Sequence, residues 1–116
     1  MKLGLLLRYS GEPGGPRMDA VLEAERLGYT SVWAGESYGT DAVTPIAWVL
    51  ARTERIKAGT GIMQMPARTP ACTAMTAATL QAMSNNRFLL GVGPSGPQVA
   101  QCWKGGRSGA PACYCQ

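Results

Sequence analysis

The chain has 116 residues, enough for one domain of ordinary size, and its 46% hydrophobic and 16% charged content excludes a disordered polypeptide. No apolar stretch approaches the ~18 residues that a membrane-spanning helix needs. The formal charge is +4, but the lysines and arginines fall singly along the chain, without a basic stripe or interleaved aromatics, so neither a nucleic-acid nor a membrane partner is expected.

The first residues contain no export signal, because Gly4, Arg8 and Tyr9 interrupt the apolar run, and a cytoplasmic location is the default expectation. Of the four cysteines, Cys72, Cys102, Cys113 and Cys115, three crowd the last 15 positions. Their spacing and the absence of histidine argue against a metal site, and they are read as free thiols.

In chain order, residues 3–8 form a short apolar run that predicts a strand buried on both faces. The Gly- and Pro-rich residues 10–16 predict a loop. From Arg17 to Leu27, apolar residues recur at helical spacing, and Gly28 stands where a helix-terminating residue belongs. Residues 30–35 predict a second strand and 36–41 a polar loop. Pro45 suits the first turn of a helix reaching about Ala51. Ile56–Ile62 predicts a third strand and Met63–Arg68 a loop. Thr69 can cap a helix with Pro70 at its first position, running to about Met83. Asn85 and Asn86 can adopt the left-handed conformation that ends it, and Phe88–Val92 predicts a fourth strand. Ser95–Gln101 looks like a loop entering a helix, whereas 104–116 shows no period at all.

Strand and helix alternate, which implies right-handed crossovers and a parallel sheet. Both an open doubly wound sheet and part of a (β/α)8 barrel satisfy that pattern. In either, ligand sites lie at the carboxyl ends of the strands. Those ends are Arg8–Tyr9–Ser10, Gly35–Glu36–Ser37–Tyr38, Gly61–Ile62–Met63–Gln64 and Gly93–Pro94–Ser95–Gly96.

Glu36 is the only carboxylate directly at a strand end. It can serve as an acceptor or proton relay beside a cofactor ring, or as a loop carboxylate that caps a helix or pairs with an arginine. Gly59, Gly61, Gly91, Gly93 and Gly96 either admit a flat ring close to the backbone or serve tight strand–helix packing. Met63 and Met65 can line an apolar cofactor face or pack the loop. Gly91–Gly96 has the spacing of a dinucleotide loop, but no acidic residue follows about 20 positions on. Without histidine no Ser-His or Cys-His nucleophile can form.

Several strings together resemble the luciferase-like monooxygenase family, which includes the F420-dependent oxidoreductases. They are Ala24–Trp33, Leu50–Lys57, Arg68-Thr69-Pro70 and Thr79 through Gly93, spread in order over most of residues 1–103. The loop from Glu36 to Ala42 resembles the deazaflavin-using branch. The resemblance implies the first four strands and three helices of a (β/α)8 TIM barrel, an α/β fold of parallel strands. It also implies coenzyme F420, a deazaflavin, with FMN as the alternative, and a small-molecule organic substrate that is oxidised, reduced or oxygenated.

On the matching positions, Glu36 and Ser37 take the catalytic places after strand two, Ser37 standing where many members have histidine. Tyr9, Glu36, Gly61, Ile62, Met63, Gly93 and Ser95 fall at the cofactor, with Gly61-Ile62 matching a non-prolyl cis peptide behind the ring. Gly96 lies near where some members carry a glutamate.

A complete barrel needs roughly 250 residues. The resemblance stops near Trp103, and 104–116 reads as a non-family tail, expected to be disordered and similar to a shifted reading frame. A four-stranded piece would leave both edge strands unpaired, which favours self-association. An inactive self-associating fragment and a small open-sheet binding domain are therefore the competing expectations.

Overall fold

The computed structural model describes residues 1–7, 15–36 and 40–96. Parallel strands β1 (Gly4–Leu6), β2 (Ser31–Ala34), β3 (Lys57–Thr60) and β5 (Phe88–Leu89) form one sheet in that order. Helices α1 (Met18–Arg26), α2 (Val43–Arg52) and α3 (Pro70–Met83) connect them. A second parallel pair joins β4 (Met63–Gln64) to β6 (Val92–Gly93), and a 3-10 turn at Met65–Ala67 leads into α3. The helix entry expected near 97–101 and the tail at 104–116 lie outside the described residues.

Strand order decides between the two architectures that periodicity leaves open. The strands are laid down consecutively, without the reversal that defines a doubly wound sheet. All three helices therefore cover the same face. Val21 of α1, Ile46, Val49 and Leu50 of α2, and Leu80 of α3 share one core with Val32, Ala34, Ala58 and Phe88. Helices on one face and consecutive parallel strands are the arrangement of a partial barrel, and the open-sheet alternative is overturned.

The opposite face carries Leu6, Trp33 and Leu89, with Trp33 donating its indole N–H to Ser31 Oγ at 2.9 Å. The expectation that the first strand is buried on both faces fails here: Leu6 is 61% exposed, while Leu5 and Leu7 pack toward the helices. An edge strand whose inner face has no helix over it is covered on one side only.

Local backbone chemistry ends and starts the helices where the sequence predicts. Gly28 has φ +82°, and Asn85 and Asn86 have φ 53° and 61°. Thr69 Oγ1 accepts the Cys72 N–H at 3.2 Å, with Pro70 in the first turn. Helix α2 starts at Val43, so Pro45 sits third, within the first turn as expected. That position still lacks an intrahelical acceptor, and Asp41 Oδ2 takes the Thr44 N–H instead.

The fourth predicted strand splits into β5 and β6, and the third is followed by a further short strand, β4. Three residues separate Gly59 from Met63, but only two separate their partners Leu89 and Val92. The strand carries one extra residue, a bulge at Gly61-Ile62, whose peptide is cis as the resemblance implies. Met63 and Gln64, expected in a loop, resume pairing beyond it.

At the amino ends of the strands, a carboxylate holds a whole loop. Glu25 Oε1 accepts the N–H groups of Glu54, Arg55 and Ile56 at 3.1, 2.7 and 2.9 Å. Burial pushes this carboxyl up, but the N–H groups of Ile56, Arg55 and Glu54 together hold it below the usual range. A depressed folded value contributes stability above the unfolded value of about 4.3 and loses it as pH falls through the folded value. Glu25→Gln is expected to destabilise the fold by about 2 kcal/mol at neutral pH. Denaturant titrations at a series of pH values should show the gap from wild type narrowing below about pH 4.

Candidate functional site

The carboxyl ends of β2, β3–β4 and β6 converge on one side of the sheet. Glu36, just beyond β2, is only 8% exposed. Its backbone N–H reaches the Ile62 carbonyl at 3.2 Å, and its carbonyl accepts the Gln64 side-chain amide at 3.1 Å. Its carboxylate is equally occupied. Oε1 accepts the Ala42 N–H at 3.0 Å and lies 2.6 Å from Arg68 Nη2. Oε2 accepts the Gln64 N–H at 2.6 Å and Arg68 Nη1 at 2.7 Å. Both halves of the capping-and-pairing reading of Glu36 are thus realised: a backbone N–H at the start of α2 and an arginine fork. The bond to Glu36 raises the Arg68 guanidinium above its ordinary value against the opposing effect of burial, with Asp41 3.8 Å away adding to it.

Arg68 and Gln64 were not singled out as partners of Glu36 in the sequence. The usable signal was positional. Glu36 lies just past one strand, and Gln64 and Arg68 lie just past its neighbour, so parallel pairing brings them together across 28 and 32 residues.

The glycines divide into two kinds. A Cβ on Gly59 would meet the Leu89 carbonyl oxygen at 2.6 Å and the Trp33 ring at 2.8 Å. One on Gly91 would strike the Thr60 carbonyl oxygen. Those two serve close packing, against strand backbone and Trp33 where the sequence suggested helices. Gly61 and Gly93 differ. Gly61 would meet only the edge of Trp33, at an ordinary 3.6 Å, and Gly93 only the flexible end of Ile62, at 3.0 Å. Gly61, Ile62 and Gly93 are therefore brought together as one strip at the strand ends, with Ser95 beyond it at φ 65°.

Of the two methionines, Met63 is 1% exposed and packed inside, its N–H on the Gly91 carbonyl at 2.8 Å, whereas Met65 is 58% exposed. Tyr9, Ser37 and Tyr38 lie outside the described residues. Cys72 is an exposed free thiol on α3, while Cys102, Cys113 and Cys115 lie outside the described residues. Among the described residues, no helix is long and apolar enough to cross a membrane.

The profile of the luciferase-like monooxygenases matches residues 5–112. The chain belongs to this family. The match runs past Trp103 and so includes part of the segment that the sequence alone set apart. A Mycobacterium tuberculosis protein described as a coenzyme F420-dependent oxidoreductase is 45% identical over 112 residues, 96% of this chain and 32% of the relative. An F420-dependent glucose-6-phosphate dehydrogenase of Amycolatopsis mediterranei is 35% identical over 96 residues, 72% of this chain and 29% of its own length.

Among solved structures, the oxygenating constituent of 3,6-diketocamphane monooxygenase from Pseudomonas putida, in complex with FMN, superposes with a TM-score of 0.73. It is 21% identical, and the match covers 89% of this chain and 32% of that one, which speaks to fold. A coenzyme F420-dependent tetrahydromethanopterin reductase from Methanopyrus kandleri gives a TM-score of 0.67 at 24% identity, over 87% of this chain and 28% of that one. The chain spans about a third of the length of the relatives it matches.

Proposed function

We propose that these residues form the first part of the cofactor seat in a deazaflavin-dependent oxidoreductase. Its reaction moves a hydride between coenzyme F420 and a small organic substrate, with FMN as the alternative cofactor. The observation that carries this reading is the convergence of Gly61, Ile62 and Gly93 at the strand ends, where the space beside each glycine is bounded by side chains and not by backbone. Family membership and the identity to an F420-dependent relative support it.

When bound, the deazaflavin or flavin supplies the hydride-carrying ring. This chain's own residues would hold it. Gly61 and Ile62 lie behind the ring, and Gly93 and Ser95 form its rim. Met63 anchors the strip through its buried side chain and its bond to Gly91. Tyr9 and Ser37, which follow β1 and β2 in the sequence, are proposed as further contacts to the ring. The Ser37 hydroxyl and the Tyr9 phenol are groups of this sequence that can exchange a proton.

Fluorescence titration of the purified chain with F420 and with FMN tests the reading. Saturable binding is expected, on the order of 10 µM because only part of the seat is present, and tighter for F420. A monodisperse sample that changes the fluorescence of neither cofactor would sink it. Loss of binding together with a mass that grows with concentration would favour the self-associating fragment, using the open face of Leu6, Trp33 and Leu89.

A further inference from the structure

A carboxylate offers about four lone-pair directions to donors. In Glu36 all four are spent inside the protein: two on the Arg68 fork, one on the Ala42 N–H and one on the Gln64 N–H. No acceptor capacity is left to aim at a ligand. The four donors come from three different places. Ala42 begins α2, Gln64 belongs to β4, and Arg68 stands at the entrance to α3. The Glu36 backbone adds two more ties, to Ile62 and to the Gln64 side chain, so the residue is fixed to the Gly61-Ile62 bulge and to the strand just beyond it.

Arg68 is turned toward the same cluster. Its fork is bidentate on Glu36, Asp41 stands 3.8 Å away, and its side chain is 17% exposed.

We infer that Glu36 and Arg68 form a positioning clip for the cofactor seat and that the Glu36 carboxylate does not touch the cofactor. The clip sets the spacing between the end of β2 and β4, and through it the height of the Gly61–Ile62 strip on which a ring would lie. This assignment rests on the reading of a cofactor at these strand ends. It gives the acidic position after β2 a mechanical role in place of the proton relay that its location suggests.

The test has one arm without cofactor and one with it. In the first, amide hydrogen exchange is followed in the wild-type chain, Glu36→Gln and Arg68→Met. The Ala42 and Gln64 amides should exchange at least about tenfold faster in both variants, as expected when charge-assisted bonds are lost. The Ile56 amide, held by Glu25 on the opposite side of the sheet, should not change. Unchanged exchange at Ala42 and Gln64 overturns the clip. Should Glu36→Gln fail to fold, Arg68→Lys retains the charge but not the fork, and it should accelerate the same two amides.

In the second arm, Glu36→Gln should weaken F420 binding about tenfold while the absorbance and emission maxima of the bound cofactor stay where they are. A spectral shift at unchanged affinity would mean that the carboxylate contacts the ring and would overturn the assignment. A wild-type chain that binds neither F420 nor FMN would remove the functional reading, and the exchange measurements would still decide the clip.

Discussion

Replacing Gly91 with alanine is expected to lower the stability of the fold by about 3 kcal/mol, a fall in Tm of about 10 to 20 °C for a domain of this size. The new Cβ would strike the carbonyl oxygen of Thr60, a backbone atom on the adjacent strand. Neither side can yield cheaply. Thr60 Oγ1 both donates to the Gly91 carbonyl at 2.8 Å and accepts the Gly91 N–H at 3.0 Å, and the same carbonyl takes the Met63 N–H. Separating the strands by enough to admit a methyl group would break all three bonds. Gly93→Ala supplies the comparison. Its Cβ meets the tip of the Ile62 side chain, which can rotate away, so the cost should stay below about 1 kcal/mol. Thermal unfolding followed by circular dichroism separates the two. A Gly91→Ala chain that melts with the wild type would mean that the strands are not held together as described.

The contrast between these two glycines shows where the sequence was legible. A glycine at a strand end can face a ligand or a neighbouring strand, and nothing in its own neighbourhood says which. Gly59 and Gly91 turn out to face strand backbone, Gly61 and Gly93 only side chains. Features decided by local backbone chemistry were readable: Gly28, Asn85 and Asn86 in left-handed conformation, and the Thr69 cap before Pro70. Their physics lies within three or four residues of chain.

The order of the strands was not readable from periodicity, since a period of two or of 3.6 names no neighbour. The family resemblance supplied it. The same limit hid the partners of Glu36. Its alternatives were stated correctly as chemistry, but Arg68 lies 32 residues away. The bulge leaves no mark on the apolar pattern either, and the resemblance supplied it through Gly61-Ile62.

The strings that carried the resemblance prove to be largely fasteners. Glu25 in the first holds the Glu54–Ile56 loop in the second, Thr69 in the third caps α3, and Arg87 in the last ties two helix ends together. They report fold more than chemistry. That is why they identify the family strongly while leaving cofactor and substrate to the strand-end residues.

Arg87 is where removing such a fastener should cost most. Its Nη2 donates to the Leu50 carbonyl in the last turn of α2 at 2.8 Å, and its Nε to the Ser84 carbonyl at the end of α3 at 3.0 Å. Nη1 serves Thr53 Oγ1 at 3.0 Å and the Ile56 carbonyl at 3.1 Å. Carbonyls at helix carboxyl ends have no intrahelical donor, and a positive charge there also opposes the helix dipole. One planar fork therefore satisfies two helix ends and the loop between α2 and β3. Arg87→Met keeps the apolar stem but strips four acceptors at once. A loss of about 3 kcal/mol is expected, since bonds from a charged donor are worth about 1.5–3 kcal/mol each and the exposed acceptors regain water. Arg87→Lys should recover less than half of that loss, because a single ammonium cannot span acceptors on three segments. Urea denaturation gives the comparison directly: both midpoints should fall with m unchanged. Full recovery by lysine would mean that charge alone matters at this position. The fork geometry, and with it the joint anchoring of α2 and α3 beneath the candidate site, would then have no energetic weight.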